Sequence, residues 1–312
     1  MSALIRIATR KSALAIWQAR HVAERLEAAR PGVSVELLPL TTQGDRMLDT
    51  PLARIGGKGL FLKELERALL NGEADLAVHS MKDVPAEMTA GLTIGAVLER
   101  ANPFDAWLSS DGSDIGTLAA GSRVGTSSLR RQSQLLARRP DLRVESLRGN
   151  VNTRVERLDD GQYDAIIVAT AGLQRLGLAG RITSELPAPE WLPAPAQGVI
   201  GLQCRADEQR INTLIGELDH APTRQLIRAE RRLSLRLGGS CQLPLAAYAQ
   251  ATSGGLITLH ALVGSSDGRS ILRCEAVASA DAPEAAAEEA ADALLAQGAD
   301  AIIRAELEIA NR

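Results

Sequence analysis

The chain has 312 residues, of which 45% are hydrophobic and 23% charged, with a net charge of −3; this is the make-up of a folded globular protein of two or three domains, and it excludes a disordered or collagen-like chain. Phe, Trp and Tyr make up 2% of the residues, so Leu, Ile, Val and Ala must fill the core, and the stacking aromatics of a nucleic-acid binder are scarce. Three cysteines, Cys204, Cys241 and Cys274, odd in number and widely spaced, exclude a disulfide framework and a Cys-x-x-Cys metal site.

A reducing, cytoplasmic setting fits that cysteine usage. The first ten residues have no apolar leader segment, and no run approaches the roughly 20 apolar residues of a membrane span. Neither a membrane nor a nucleic acid is an expected partner. Arginines crowd the middle of the chain and acidic residues its end, so the small net charge hides a strong asymmetry.

Residues 4–9 alternate as a strand, and Ser12 can cap a helix on which Leu14, Ile16 and Trp17 form the apolar face. Arg10, Lys11 and Ser12 then stand at a helix N-terminus, an end that favours anions. Val33–Leu40 reads as a second strand, giving a βαβ rhythm. The long connection from Thr41 ends in Gly56-Gly57-Lys58-Gly59 before a helix over 60–70. Lys58 is not part of a phosphate loop, because Leu52 replaces the first glycine and Gly59 stands where Ser or Thr is needed. A glycine hinge carrying Arg54 and Lys58 over a pocket is the remaining functional reading, beside a plain solvated loop.

Ala74–Ser80 is a buried-strand run, and Met81-Lys82-Asp83-Val84-Pro85 lies just past its carboxyl end, where open α/β sheets bind ligands. Asp83 beside Lys82 suits a catalytic carboxylate held ionised, and equally a turn aspartate. Residues 101–121 read as a connector. Gly125-Thr126-Ser127-Ser128-Leu129-Arg130-Arg131 then repeats the opening pattern of strand, hydroxyl-rich turn and basic helix start. Strands over 142–147 and 163–169 follow, each leading into a basic segment. Three strand ends thus deliver Arg130, Arg131, Arg148, Arg154 and Arg175 to one rim, which implies a polycarboxylate or phosphate ligand.

After the proline-rich 187–195, the run 197–204 reads as a strand returning to the first lobe, with Cys204 in the core. A helix over 222–237 stops at Gly238-Gly239, and Cys241 follows in the glycine-rich loop before Pro244. The arginines of that helix (Arg224, Arg228, Arg231, Arg232, Arg236) would lower the pKa of a neighbouring thiol; the alternative is a small buried hydrophobe. Two alternating runs, 256–263 and 271–277, form a hairpin, and helices over 283–297 and 300–309 complete a small α+β domain. His260 and Cys274 lie on adjacent strands, but two ligands without a third favour packing over a metal.

Ile7-Ala8-Thr9-Arg10, Gly56-Gly57-Lys58-Gly59-Leu60-Phe61, His79-Ser80-Met81-Lys82-Asp83-Val84-Pro85, Gly125 to Arg131, Leu147-Arg148-Gly149-Asn150 and Gly239-Ser240-Cys241-Gln242 together resemble the hydroxymethylbilane synthase, or porphobilinogen deaminase, family. Each motif alone is weak; six in order over nearly the whole chain are specific.

The resemblance implies two similar doubly wound α/β lobes, like those of periplasmic binding proteins, around a cleft, plus a C-terminal α+β domain. Their expected bounds are 1–99 with about 198–218, then 100–197, then 219–312. It implies a monomeric transferase of tetrapyrrole (porphyrin and heme) biosynthesis that condenses four porphobilinogen molecules with loss of ammonia. The primer is a dipyrromethane cofactor carried by Cys241 through a thioether.

By the same matching Asp83 is catalytic. Ser80, Lys82, Thr126, Ser128, Arg130, Arg131, Arg148 and Gln197 contact the cofactor. Arg10, Ser12, Gln18, Arg100, Arg148, Arg154 and Arg175 contact substrate, and Arg54, Lys58 and Phe61 belong to a lid. Three departures stand out: Phe104 replaces a usual arginine, Ala196 a usual glycine, and Arg54 a common lysine. A solute-binding protein would share twin lobes and an arginine-lined cleft, but it has no use for a cysteine in a third domain.

Overall fold

The computed structural model describes residues 3–46, 62–239 and 243–310. Arg54, Lys58, Phe61 and Cys241 therefore lie outside the described residues. In chain order the elements are β1 (Ala3–Arg10), α1 (Ala13–Ala29), β2 (Val33–Leu40), α2 (Gln43–Arg46), α3 (Lys63–Leu70), β3 (Leu76–Ser80) and β4 (Leu92–Val97). Next come β5 (Asp105–Ser109), β6 (Arg123–Gly125), α4 (Leu129–Arg138), β7 (Arg143–Glu145), α5 (Val151–Asp159), β8 (Ala165–Ala169), α6 (Thr170–Arg175) and β9 (Ser184–Leu186). The rest are β10 (Ile200–Arg205), α7 (Gln209–Gly216), α8 (Ala221–Arg236), β11 (Leu245–Thr252), β12 (Leu256–Gly264), β13 (Ile271–Ser279), α9 (Pro283–Ala296) and α10 (Ala299–Ala310).

These elements form two compact units. The described residues of the first are 3–46, 62–101 and 198–224. Its sheet has the order β2-β1-β3-β10-β4. β2, β1 and β3 are parallel, and β10 runs antiparallel between β3 and β4. Period-two alternation explains the two-sided core. Ile5, Ile7, Leu76 and Val78 face α1 and α7, while Ala8 and Ala77 face Leu65, Ala68 and Leu69 of α3.

Ser12 caps α1 as expected, its Oγ accepting from the Ala15 N–H at 3.4 Å. The buried face of α1 is not the expected one. Ala15, Gln18, Ala19, Val22 and Leu26 are buried, whereas Leu14, Ile16 and Trp17 are only partly covered and Trp17 stacks on His21. The core-facing stripe runs through Ala19, Val22 and Leu26, so the large apolar residues of the first turns misdirect the pattern.

The second unit comprises residues 102–197, 225–239 and 243–310. It holds a sheet of order β7-β6-β8-β5-β9 and an antiparallel meander β11-β12-β13. In the larger sheet β7, β6 and β8 are parallel, and β5 runs antiparallel between β8 and β9. Three parallel strands followed by an antiparallel fourth is the arrangement of the first unit again. The protein is thus an α/β protein with two mixed five-stranded sheets of matching design. α5 and α6 pack on one face of the second sheet and α4 on the other. Ala229 and Leu233 of α8 share a core with β11, β12, α9 and α10.

Two elements contradict the sequence reading. Residues 101–121 are not a plain connector, since Asp105–Ser109 is the fourth strand of a five-stranded sheet. The C-terminal sheet has three strands rather than a hairpin, because the alanine-rich Leu245–Thr252 pairs along the full length of β12. In both cases ladder pairing overrides weak local β-propensity.

Candidate active site

In the first unit the expected site residues gather at the carboxyl edge of the sheet. Arg10 ends β1 and Ser80 ends the neighbouring parallel strand β3. Gln18, buried on α1, donates from Nε2 to Ser80 Oγ at 2.9 Å, which ties α1 to the end of β3. β3 then runs into a single 3₁₀ turn, Met81–Asp83, which places Lys82 and Asp83 just beyond the sheet. The turn is pinned by the Met81 N–H donating to Val199 O at 2.9 Å and the Val84 N–H donating to Met81 O at 3.2 Å. Gly201 of β10 has no side chain here for a packing reason: a Cβ would lie 2.1 Å from Met81 Sδ. Arg100 follows β4, whose carboxyl end shares this edge; its N–H donates to Thr223 Oγ1 at 3.0 Å.

Behind Asp83 lies a buried polar chain that sequence reasoning missed. His79 Nε2 meets Gln203 Oε1 at 2.9 Å, and Gln203 Nε2 donates to Glu66 Oε1 at 2.9 Å. The amide's donation to a carboxylate leaves its oxygen as acceptor, so His79 carries its proton on Nε2. Burial pushes the His79 pKa down to about 4, overcoming the Gln203 hydrogen bond and the opposing pull of Glu66 and Asp83. Neutral His79 is thus held against β10, in the strand that leads into the Asp83 turn.

In the second unit Thr126 follows β6, and Ser128 caps α4 by accepting from the Arg131 N–H at 3.4 Å. The cap puts Arg130 and Arg131 in the first turn, and both are buried. Their guanidinium groups meet on Asp105, which is fully buried at the start of β5. Arg130 NH1 reaches Asp105 Oδ2 at 2.7 Å and Arg131 NH2 reaches Oδ1 at 2.7 Å. Trp191 Nε1 donates to Oδ2 at 2.8 Å and Gln197 Nε2 to Oδ1 at 2.9 Å. Burial by itself would raise the Asp105 carboxyl, but the charges of Arg130 and Arg131 overcome it and hold the group far below the ordinary range. Two cations against one anion leave the buried cluster with a net positive charge, and Arg131 Nε has no hydrogen-bond partner among the described residues.

Arg148 follows β7 and is buried, and burial lowers its pKa. Asn150 caps α5, on which Arg154 Nε donates to Gly149 O at 2.9 Å. Arg175 ends α6 beyond β8, and burial pushes it down to about 10. All five arginines follow the parallel strands of one sheet. The antiparallel direction of β5 brings Asp105 to the same edge, opposite Ala169 in register. The signal for Asp105 was present only as the end of Asn102-Pro103-Phe104-Asp105, where Phe104 drew the attention; Phe104 packs against Tyr248, ring centroids 5.8 Å apart.

The segment before Cys241 differs from expectation. The α8 arginines do not form a free positive field: Arg228 pairs with Glu284, Arg232 with Glu288, and Arg236 with Glu288 and Asp292 of α9, while Arg224 pairs with Asp219. Burial pushes Arg231 down to about 10. Gly238 is left-handed at φ +69°, and a Cβ on Gly239 would lie 2.4 Å from Ser234 O. The glycine pair is therefore a tightly built helix stop. Another missed residue is Glu230 of α8, fully buried, which accepts from the Ala196 N–H at 2.5 Å and the Ala249 N–H at 2.8 Å.

Residues 5–213 match the family model described as porphobilinogen deaminase, dipyromethane cofactor binding domain, and residues 225–296 match that of the porphobilinogen deaminase C-terminal domain. A porphobilinogen deaminase of Xanthomonas campestris pv. campestris (strain B100) is 55% identical over 296 residues, covering 95% of this chain and 97% of the relative. One of Xanthomonas euvesicatoria pv. vesicatoria (strain 85-10) is 54% identical over the same length and coverage. Among solved structures the methionine binding protein MetQ is 13% identical with a TM-score of 0.45, covering 69% of this chain and 89% of that one. With both domain models matched and half its residues shared with these relatives, the chain belongs to the porphobilinogen deaminase family.

Proposed function

We propose that this protein is a hydroxymethylbilane synthase: it joins four porphobilinogen molecules head to tail with release of one ammonia at each step, and then releases linear hydroxymethylbilane by hydrolysis. The observation that carries this reading is the 55% identity to a porphobilinogen deaminase over 95% of the chain. The dipyrromethane, attached through a thioether to Cys241, supplies when bound the nucleophilic pyrrole carbon on which the product grows. The side chains of the second unit fit such a group, because each of its pyrroles carries two carboxylates and the buried Arg130–Arg131–Asp105 cluster is one negative charge short of neutrality.

In this reading Thr126, Ser128, Arg130, Arg131, Arg148 and Gln197, with Ser80 and Lys82, hold the cofactor. Arg10, Ser12, Gln18, Arg100, Arg148, Arg154 and Arg175 hold substrate carboxylates, and Arg54, Lys58 and Phe61 cover the site. Asp83 takes the electrostatic task. Loss of ammonia from porphobilinogen leaves a cationic azafulvene, and a fixed carboxylate near its pyrrole N–H stabilises that charge and shuttles the proton. Residues 219–312 act as the domain that presents Cys241, beside lobes of 1–99 with 198–218 and of 100–197. The protein works as a cytoplasmic monomer; among the described residues no helix is long and apolar enough to cross a membrane.

Intact-mass measurement and Ehrlich's reagent test this directly. The purified protein should be heavier than its sequence by one dipyrromethane and turn pink, and Cys241→Ser should lose the adduct and all turnover. Asp83→Asn should keep the adduct and fold but lose turnover by a factor on the order of 10³, the upper range for a positioned acid–base and electrostatic group. An unmodified protein that releases ammonia from porphobilinogen at full rate contradicts the proposal.

A further inference from the structure

Asp105 has no task in the reading above, yet its carboxylate organises the residues that do. Its two oxygens accept from Arg130 NH1, Arg131 NH2, Trp191 Nε1 and Gln197 Nε2 at 2.7 to 2.9 Å, and a fifth, longer contact from Arg130 NH2 measures 3.4 Å. The acceptor capacity of one carboxylate is thereby filled from within the protein. Two more donors have fixed outlets, since Arg130 NH1 also reaches Leu192 O at 2.8 Å and Arg131 NH1 reaches Ile167 O at 2.9 Å, while Arg131 Nε stays unpartnered among the described residues. Arginine's planar fork makes orientation part of recognition, since a bidentate partner must approach in the guanidinium plane. Two adjacent cations repel, and without a shared counter-ion they would splay apart or draw in whatever anion is present.

We infer that Asp105 is a positioning residue for the Arg130–Arg131 pair: it aims both guanidinium groups and cancels one of their two charges, leaving a site matched to a single, correctly placed carboxylate. The inference rests on the reading of Arg130 and Arg131 as carboxylate ligands. Aim and charge can be separated experimentally, because Asp105→Asn keeps the shape, loses the aim and raises the local charge. A small inorganic anion, indifferent to orientation, should then bind better, while the pyrrole carboxylates should bind worse. A carboxylate that served only folding would move both in the same direction.

The test uses the full-length protein as purified and reads, by intact mass, the share of chains that carry the dipyrromethane. In Asp105→Asn, sulfate should raise the melting temperature more steeply than in the wild type, with sodium chloride at matched ionic strength as control. The share of chains that carry the dipyrromethane mass should fall about tenfold relative to the wild type, the scale of one lost charge-assisted hydrogen bond. A folded Asp105→Asn protein with wild-type sulfate response and wild-type dipyrromethane loading overturns the inference. If that variant does not fold, Trp191→Phe decides. It removes one neutral donor to Oδ2 and no charge, and should lower the share of chains carrying dipyrromethane by about threefold, a few tenths of a charge-assisted hydrogen bond; unchanged loading overturns the inference. Failure of the family reading looks different: the wild type itself would carry no dipyrromethane mass and release no ammonia.

Discussion

Ala196 is held at φ +58°, a left-handed conformation that costs a residue with a Cβ about 1–2 kcal/mol. Its neighbours explain why it stays there. Its own N–H is taken by buried Glu230, and the next residue, Gln197, is anchored on Asp105 and on Pro103 O. Ala196→Gly removes the strain but gives back about 0.4–1 kcal/mol of unfolded-chain entropy, so the variant should be more stable by roughly 0.5 kcal/mol in urea unfolding. Ala196→Val, β-branched and unsuited to positive φ, should lose about 2 kcal/mol or more. At this scale the sequence was only partly legible. Arg130 and Arg131 stand out by type and spacing and Gln197 only through the family resemblance, but Asp105 does not, because an acidic residue after Asn-Pro-Phe reads as a turn until β5 is known to run against β8.

Among elements, the hairpin between β12 and β13 shows how close packing fixes an interface within the second unit. Gly264 approaches Ser133 of α4, where a Cβ would lie 2.2 Å from its Oγ. Gly268, left-handed at φ +73°, leaves room for a Cβ only 2.4 Å from the Ala137 nitrogen. Gly268→Ala must therefore strain the turn and push the hairpin off α4, and should cost about 2–4 kcal/mol by summed strain and overpacking, read as a lower urea midpoint. The hairpin itself was legible from Ser265 to Arg269, as was the Ser12 cap of α1. What stayed hidden depended on partners distant in sequence: β11 is alanine-rich and exists because β12 pairs with it, and the arginines of α8 look like a basic surface until α9 places Glu284, Glu288 and Asp292 beside them.

For the whole molecule, the two units should respond to acid in different windows. His79, in the first, has its folded pKa lowered to about 4 from 6.5. Below pH 6.5 the unfolded chain takes up a proton that the folded one refuses, so stability present above that pH falls towards pH 4, by about 3 kcal/mol in all. Glu66, Asp83 and Arg10 are the charged groups that bear on this histidine. Asp105, in the second unit, is held below its ordinary value of 3.8, so its contribution is kept down to that pH and lost only beneath it. Hydrogen exchange followed by mass spectrometry, corrected for intrinsic rates, should show residues 62–101 and 198–224 losing protection between pH 6.5 and 4 while 102–197 keep theirs. His79→Gln should flatten the first window. The repeated α/β pattern was visible in the sequence because each sheet begins with strand, hydroxyl turn and capped helix. Of the two fourth strands, β10 was legible as a late strand returning to the first lobe, whereas β5 was not, because it joins a sheet whose parallel strands all follow it.

The bare backbone of Gly201 under Met81 carries one more consequence. Because the Met81 thioether is 2% exposed and seated on that glycine, in the same turn as Asp83, peroxide cannot reach its sulfur in the folded protein. Sulfoxide at Met81 would then accumulate only as fast as the first sheet opens, which makes the residue a built-in clock for that opening, and a chain once oxidised there could not reseat a polar sulfoxide against the glycine and would stay inactive until a reductase restored it.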